Sequence, residues 1–200
     1  MKKYSEHVLD YKKSFKDIPD IVKNTDTVFR NKYFSEFSDS RITPNFYPPF
    51  ISGQIYSFRY NTDSKLSDDR NFINRNPILL FIEKIKHPKY GEITRGLDLI
   101  TVPPMDKIEI LSLIFDEFHS LLKRNSDSYE KKGILEPIPK RDIDKILDKT
   151  GSKNSIFGFK NVFISDINIL SLEDWFKLPY LKFSAIQGLD IQGIYKRYRN

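Results

Sequence analysis

Two consecutive prolines, Pro103 and Pro104, separate two kinds of hydrophobic pattern in this chain. Before them, the sequence LDLITV alternates in the manner of a β-strand. After them, apolar residues recur at helical spacing over 105–124, and Asp106 with Glu109 has the spacing of a capping box. A proline ends a strand ladder and suits the first turn of a helix. The pair therefore predicts a strand followed by an amphipathic helix. The apolar face of that helix comprises Leu111, Ile114, Phe115, Phe118, Leu121 and Leu122.

Two segments before the prolines also have β character. Residues 53–60 alternate, so that Tyr56, Phe58 and Tyr60 share one face, and the apolar run 78–82 follows a proline. Three strands with short connections predict a small antiparallel sheet or an SH3-like β-barrel, because a two-stranded hairpin would not be stable alone. With helices at 105–124 and 140–149, the expected fold class is α+β, with the sheet or barrel packed by helices. The three aromatic residues suit packing within the sheet, and the alternative is a surface that stacks on a partner.

The two ends of the chain predict extensions. Residues 4–16 and 20–37 carry apolar residues at approximate helical spacing, and the sequence SDSRITPNFYPPF that follows has three prolines and no period. We therefore expect residues 1–50 to form a helical N-terminal extension and a proline-rich arm. Residues 51–200 then form an α+β core domain that ends in an extended, basic C-terminal arm.

Charge and composition limit the classes of partner and of chemistry. A net charge of +6 over 200 residues favours an acidic partner such as nucleic acid, although a lysine-rich chain can be basic without one. The chain has no cysteine, which excludes disulfides, thiolate metal sites and a catalytic thiol. No stretch approaches the roughly 20 apolar residues of a membrane span. No apolar run follows Lys2 and Lys3, so we expect a soluble protein with no export signal and no membrane partner.

The sequence offers little for metal, cofactor or nucleophilic chemistry. His7, His87 and His119 lie far apart, whereas a metal site needs several converging donors. Neither a phosphate-binding glycine loop nor a G-x-S-x-G turn is present. We therefore expect no catalytic residue, no metal and no cofactor.

A metal-dependent nuclease is the enzyme class that remains open. It would need converging carboxylates for Mg²⁺ and a lysine that stabilises the developing anion. A chain with 27 acidic and 33 basic residues produces such sets by chance, so a nuclease is the less favoured reading. The candidate residues are Asp68, Asp69, Glu83, Lys84, Lys86 and Asp98.

The candidate nucleic-acid-binding residues combine positive charge with aromatic rings. In the C-terminal sequence YKRYR, Lys196, Arg197 and Arg199 alternate with tyrosines such as Tyr198, and Arg59 precedes Tyr60 in the first predicted strand. Cations neutralise phosphates and release counterions, while aromatic rings can stack on exposed bases. The alternative for the C-terminal residues is a solvated terminus without a ligand.

Three stretches in order carry a family resemblance. They are the short aromatic strand with its polar loop and proline-led apolar strand, the sequence GLDLITVPP, and LEDWFKLPYLKF ahead of YKRYR. This order resembles virion proteins of contractile-tailed bacteriophages that are labelled DNA end protectors. The resemblance covers residues 53–104 and, more loosely, 172–199. Asp98 stands where the family has Asn, Val102 stands where it has Leu, and the loop lacks the family's Pro-aromatic-aromatic-Asp stretch. The matching positions are Gly96, Leu97, Leu99, Pro103 and Pro104.

The resemblance implies a non-enzymatic virion structural protein, found in the virion and, during assembly, in the host cytoplasm. In its sharper form it implies contact with packaged double-stranded DNA ends at the head–tail region. The alternative is a tail or baseplate component that acts only through contacts with other virion proteins, for which strand edges and proline-rich arms are common devices. Either role implies a symmetric assembly of many copies.

Overall fold

The structure, a computed structural model, describes residues 2–34, 50–60, 76–124 and 137–181. It is a mixed fold of helices and strands, which confirms that part of the predicted fold class. The helices are α1 (Tyr4–Lys13), α2 (Ile18–Phe29), α3 (Pro104–Arg124), α4 (Lys140–Lys149) and α5 (Leu172–Trp175). The strands are β1 (Ile55–Tyr60), β2 (Ile78–His87), β3 (Gly91–Asp98), β4 (Ile156–Lys160) and β5 (Ile164–Ile169). A π-helical turn (Arg30–Phe34) continues α2, and short 3₁₀ turns occur at Ser152–Ser155, Asn161–Phe163 and Leu178–Tyr180.

The five strands form one antiparallel sheet in the order β4-β3-β2-β1-β5. This confirms the predicted small antiparallel sheet. In the part of the chain that is described, no ladder joins β4 to β5, so the sheet is open and the closed SH3-like barrel is not confirmed. The last residues of the second predicted helix (35–37), most of the predicted proline-rich arm (38–49) and the C-terminal arm (182–200) lie outside the described residues.

The link between β4 and β5 requires the sheet to curl. These strands form opposite edges of the sheet, yet only three residues, Asn161–Phe163, connect them. A flat sheet of five strands would hold its edges roughly 19 Å apart. The link can reach at most about 14 Å when extended, and about 8 Å as a 3₁₀ helix. The edges are therefore drawn together, and the Phe159 ring of β4 lies 5.2 Å from that of Phe58 and 5.1 Å from that of Tyr60 in β1.

The curl gives the sheet a concave aromatic face and a convex face that packs on helices. The concave face buries Tyr56, Phe58 and Tyr60, which confirms that these residues pack within the sheet. The convex face carries Ile55, Leu80 and similar residues against the apolar faces of α3 and α4. Full burial of each such side chain contributes about 1.5–3 kcal/mol relative to exposure. The concave cluster consists of Tyr56, Phe58, Tyr60, Leu79, Phe81, Phe159 and Ile164.

Two local predictions around the double proline need correction. Helix α3 begins at Pro104, as expected, but Asp106 is its third residue, so Asp106 does not cap the helix and the predicted capping box is wrong. The third strand ends at Asp98, because the Thr101 N–H donates to the Asp98 carbonyl and the chain turns there. Its hydrophobic pattern over 99–102 reflects burial of a turn and not extended backbone.

The first helices pack on the same core as the sheet. Tyr4 and Val8 of α1 and Phe29 of α2 belong to the cluster that contains the inner face of α3. Helix α2 begins at Ile18, one residue before Pro19, because proline is compatible with the first turn of a helix. The division of the chain at residue 50 stays a prediction, and within the described residues the N-terminal helices are continuous with the core.

Gly96 of β3 permits an unusually close approach of β3 to β2. It lies inside β3, opposite Phe81 of β2 and next to an irregularity in the register. A Cβ atom at this position would collide with the carbonyl oxygen of Leu80 and lie 2.6 Å from Cγ of Leu79. The absence of a side chain at Gly96 therefore lets β2 and β3 approach each other closely.

We predict that Gly96→Ala lowers the free energy of unfolding by about 2–4 kcal/mol, because the new methyl group must push backbone apart. Urea unfolding followed by circular dichroism measures this change. The matched control is Gly91→Asn, where a Cβ meets no atom within 4 Å and the φ of +72° suits Asn. A loss at Gly96 no larger than the control's would show that the strands can separate without cost.

Candidate nucleic-acid interface

A group of basic and aromatic side chains surrounds the turn between β2 and β3. The Tyr90 ring stacks on the His87 ring with centroids 4.7 Å apart. The Lys160 amine lies 4.1 Å from the Tyr90 centroid, and the Lys89 amine lies 5.3 Å from it. Both amines are within the range of a cation–π interaction. We refer to His87, Lys89, Tyr90 and Lys160 as the hairpin cluster.

Regular backbone positions each member of the hairpin cluster. His87 and Gly91 form the last pair of the β2–β3 ladder, and Gly91 takes a φ of +72° that closes the turn. The Lys89 N–H donates to His87 Nδ1 over 3.2 Å. Lys160 is placed by its pairing with Ile93 of β3. Its N–H also donates to the Tyr60 hydroxyl over 3.2 Å, so the curl of the sheet fixes this end of β4.

The surface around the hairpin cluster is positive. Lys84, Lys86 and Lys89 are exposed, and the Lys84 amine lies 5.1 Å from the Phe50 centroid. Together with Lys160 they supply four positive charges. Of the two acidic residues beside them on the hairpin, Glu83 is paired with Arg95 and Lys140, which leaves the one negative charge of Glu92. Glu92 accepts a hydrogen bond from the Asn161 amide over 3.1 Å. The hairpin is therefore a local excess of positive charge on a rigid element.

The predicted nucleic-acid-binding residues lie apart from this group or beyond the described chain. Arg59 is in β1, partly exposed, and its Nε lies 3.6 Å from a carboxylate oxygen of Asp166, which links β1 to β5. Its role in binding stays a prediction. The C-terminal candidates lie outside the described residues; they are Lys196, Arg197, Tyr198 and Arg199.

The residues considered for a nuclease do not form a common site where they are described. Glu83 binds Arg95 and Lys140, each over 2.8 Å, and so connects β2 to β3 and α4. Asp98 is fully buried and pairs with Leu79, four residues from Glu83 along β2, which corresponds to about 13 Å. Among the described residues, no group of three potential ligands could hold a metal ion. Asp68 and Asp69 lie outside them.

The hairpin cluster was only partly accessible to sequence reasoning. The sequence HPKYG at 87–91 places a histidine, a lysine and a tyrosine in one turn, and that local signal could have been found. Lys160 could not, because it is about seventy residues away in sequence and reaches Tyr90 only through the β3–β4 pairing. His7 stacks on Phe176 and His119 contacts Phe115, so both of these histidines are half-buried against the aromatic residues at the edge of the core.

One buried carboxylate, that of Asp174, connects the N-terminal helices to the C-terminal end of the fold. It is 1% exposed and accepts hydrogen bonds from Lys32 and Tyr33 of the π-helical turn. Ser171 and Lys177 donate to it over 2.7 Å and 2.9 Å. Burial alone would raise the pKa of Asp174, but these four hydrogen bonds hold it well below its ordinary value.

A second buried charge site is the amine of Lys107 in α3. The residue is 1% exposed, and within the described residues its Nζ has no hydrogen-bond partner. Burial lowers the pKa of Lys107 to about 8, although the negative charges of Asp98 and Asp26 oppose this shift. The folded protein therefore favours the neutral amine more than the unfolded chain does.

Comparisons with known proteins identify no relative: no family model, no curated protein and no solved structure matches the chain. Across the described ranges, no helix combines the length and the apolar character needed to cross a membrane.

We predict that Asp174→Asn lowers the free energy of unfolding at pH 7 by about 2–4 kcal/mol, because it removes the buried acceptor of two lysines. A folded-state pKa below the unfolded value stabilises the fold above about pH 4, and this stabilisation is lost as pH falls through the folded value. The difference between parent and variant should therefore shrink between pH 5 and pH 2. Urea titrations at several pH values measure it.

The matched control is Asp10→Asn, because Asp10 also binds two lysines, Lys2 and Lys13, at 2.9 Å each, but on the surface. It should change stability little, since exposed ion pairs contribute little. Equal effects at the two positions would mean that burial of Asp174 does not strengthen its interactions.

We predict that Lys107 alone raises the free energy of unfolding by about 2 kcal/mol between pH 7 and pH 9.5, because over that window the unfolded chain binds the Lys107 proton more strongly than the folded protein does. The Lys107→Met variant should lose this rise. Denaturant titrations at pH 7, 8 and 9.5 test both statements. The same change of stability with pH in the parent and in Lys107→Met would contradict the lowered pKa.

Proposed function

We propose that this chain is a non-enzymatic structural protein of a tailed-phage virion that contacts packaged double-stranded DNA at the head–tail region. The observation that carries the DNA contact is the hairpin cluster together with the exposed lysines Lys84 and Lys86 beside it on β2. The resemblance of residues 53–104 to virion proteins labelled DNA end protectors supports the virion role. The net charge of +6 is consistent with an anionic partner.

The hairpin suits the phosphate backbone of a duplex. Lys86 lies in β2, Lys89 in the β2–β3 turn and Lys160 in β4, so the pairing of the strands fixes their backbone positions on one sheet. Phosphate contacts release condensed counterions, which makes binding strong at low salt and independent of base sequence. A protein at the DNA path of a virion must accept whatever sequence passes it, and contacts of this kind meet that requirement. The basic C-terminal residues are a second candidate contact.

We also propose that the sheet is related to an SH3-like barrel, and the strand order supports this interpretation. Strands β1 and β5 are neighbours, β4 is at the far edge, and a 3₁₀ turn joins β4 to β5. In this reading, α3 and α4 are an insertion between β3 and β4, and the sheet is a half-open barrel with the aromatic face inside.

The second candidate is a tail or baseplate component that binds only other virion proteins, and exposed apolar residues near β5 favour it. Val162 is 80% exposed, and Ile169 and Leu172 are also exposed. Strand β5 is an edge of the sheet in the described chain, and edges of this kind pair with partner strands. In both candidates we propose many copies in a symmetric assembly, located in the virion and in the host cytoplasm during assembly.

We predict that the protein binds duplex DNA with an affinity that falls steeply with salt. Replacing Lys86, Lys89 and Lys160 together by Gln should weaken binding at least tenfold and reduce the salt slope by about 0.9 for each phosphate that the variant no longer neutralises. Fluorescence anisotropy with a labelled duplex, repeated from low to physiological salt, measures both quantities. The triple variant Lys196→Gln, Arg197→Gln and Arg199→Gln tests the C-terminal contact in the same way.

The matched control removes three exposed lysines of α1, α2 and the turn between them, namely Lys12, Lys16 and Lys23, and so changes the net charge equally. It should weaken binding much less than the hairpin variant. If both variants lost the same affinity for duplex DNA, binding would depend only on net charge, and the hairpin would not be a specific site. If the parent protein binds no duplex DNA at low salt, the DNA contact is excluded, and the tail or baseplate component that binds only proteins is the candidate that remains.

A further inference from the structure

We infer that Tyr90 is a platform that pre-positions the amines of Lys89 and Lys160 for neighbouring phosphate groups of a linear polyanion. The inference rests on the proposed DNA contact and goes further, because it assigns the recognised chemistry to phosphate alone. It also assigns the joint positioning of the two amines to the one ring that both approach; the Lys160 amine lies farther, 5.8 Å, from the Phe163 centroid. Tyr90 is a positioning residue that acts through the two lysines and does not itself contact the phosphates.

The geometry supports this assignment because the two lysines come from different parts of the chain and meet at one ring. Lys89 is in the turn and Lys160 is at the end of β4, yet both amines lie within cation–π range of the Tyr90 centroid. Their distances to that centroid limit the separation of the amines to about 9 Å. Adjacent phosphates of one DNA strand lie within this separation, so two such amines can contact neighbouring phosphates.

Pre-positioning matters because an ordinary surface lysine loses much rotamer freedom when it binds. An amine held against a ring has already lost part of that freedom, while N–H groups that point away from the ring can still donate to phosphate oxygens. Lys86 offers a contrast, since it is exposed and its ladder partner is the acidic Glu92. We therefore expect Lys89 and Lys160 to contribute more to binding than Lys86.

The same contacts argue against recognition of bases by Tyr90. Its ring is 39% exposed and already contacts the His87 ring and the Lys160 amine. Base stacking needs a free aromatic face. Recognition should therefore depend on phosphate density and be indifferent to base identity.

The test compares Tyr90→Leu with Tyr90→Phe in the full chain, using three probes: a labelled duplex in two unrelated sequences, a single strand and long-chain inorganic polyphosphate. Tyr90→Leu removes the ring without changing charge and should weaken duplex and polyphosphate binding about five- to tenfold. Tyr90→Phe keeps the ring and should bind like the parent. The two duplex sequences should bind equally in every variant.

A double-mutant cycle separates positioning from a general effect on the fold. In the background of Lys89→Gln and Lys160→Gln, Tyr90→Leu should have no further effect on binding, because no amine remains to be positioned. A further loss of similar size in that background would overturn the inference, as would a Tyr90→Phe variant that binds as weakly as Tyr90→Leu. Thermal unfolding of each variant checks that the hairpin remains folded.

The outcomes also distinguish this inference from the proposed function. Duplex binding that does not change in Tyr90→Leu overturns the platform and leaves the DNA contact in place. A preference for single strands that is lost in Tyr90→Leu would replace phosphate recognition by base stacking. Binding of polyphosphate that depends on Tyr90, without binding of duplex, supports the platform and counts against DNA as the partner. Binding of neither probe overturns both proposals.

Discussion

The three-residue link between β4 and β5 is the constraint on which the rest of the sheet depends. Because Asn161–Phe163 cannot span a flat five-stranded sheet, the two edges must approach each other, and the space between them must be filled. Large aromatic side chains from β1 and β4 fill it. The same approach brings the Tyr60 hydroxyl to the Lys160 N–H and so fixes the residue whose amine reaches Tyr90. The packed interior and the charged hairpin thus have one geometrical cause.

Parts of this arrangement could be read from the sequence because the signals are local. The alternation over 53–60 predicted the faces of β1, and the double proline predicted where α3 starts, since both depend on backbone geometry over a few residues. The apolar residues of 99–102 were misread as strand because burial in a turn and burial in a strand leave the same hydrophobic pattern. Asp106 was misread as a cap because Pro104 already starts the helix.

The remaining features depend on pairing between distant segments, which a single sequence does not encode in a readable form. Lys160 and Tyr90 are ordinary surface residues when taken separately and form a cluster only because β3 pairs with β4. Likewise, Asp174 and Lys32 are far apart in sequence and meet only when the π-helical turn packs on the C-terminal end of the fold. By contrast, the predicted C-terminal site in YKRYR was inferred from local composition alone and needs no pairing between distant segments.

Buried charges and surface charges have different roles in this molecule, and the difference bears on function. Asp174 is surrounded by donors, so its charge stabilises a single docking of the N-terminal helices and is not accessible to a ligand. Lys107 is enclosed without a hydrogen-bond partner in the described chain, so its positive charge is disfavoured by the fold. Lys89 is exposed and Lys160 is half-buried, and both amines lie against the Tyr90 ring without a paired carboxylate among the described residues, so their charge is available to a partner. A positive charge that the fold orders without neutralising is suited to binding an anion, and of the three charged groups considered, only the hairpin cluster meets that condition.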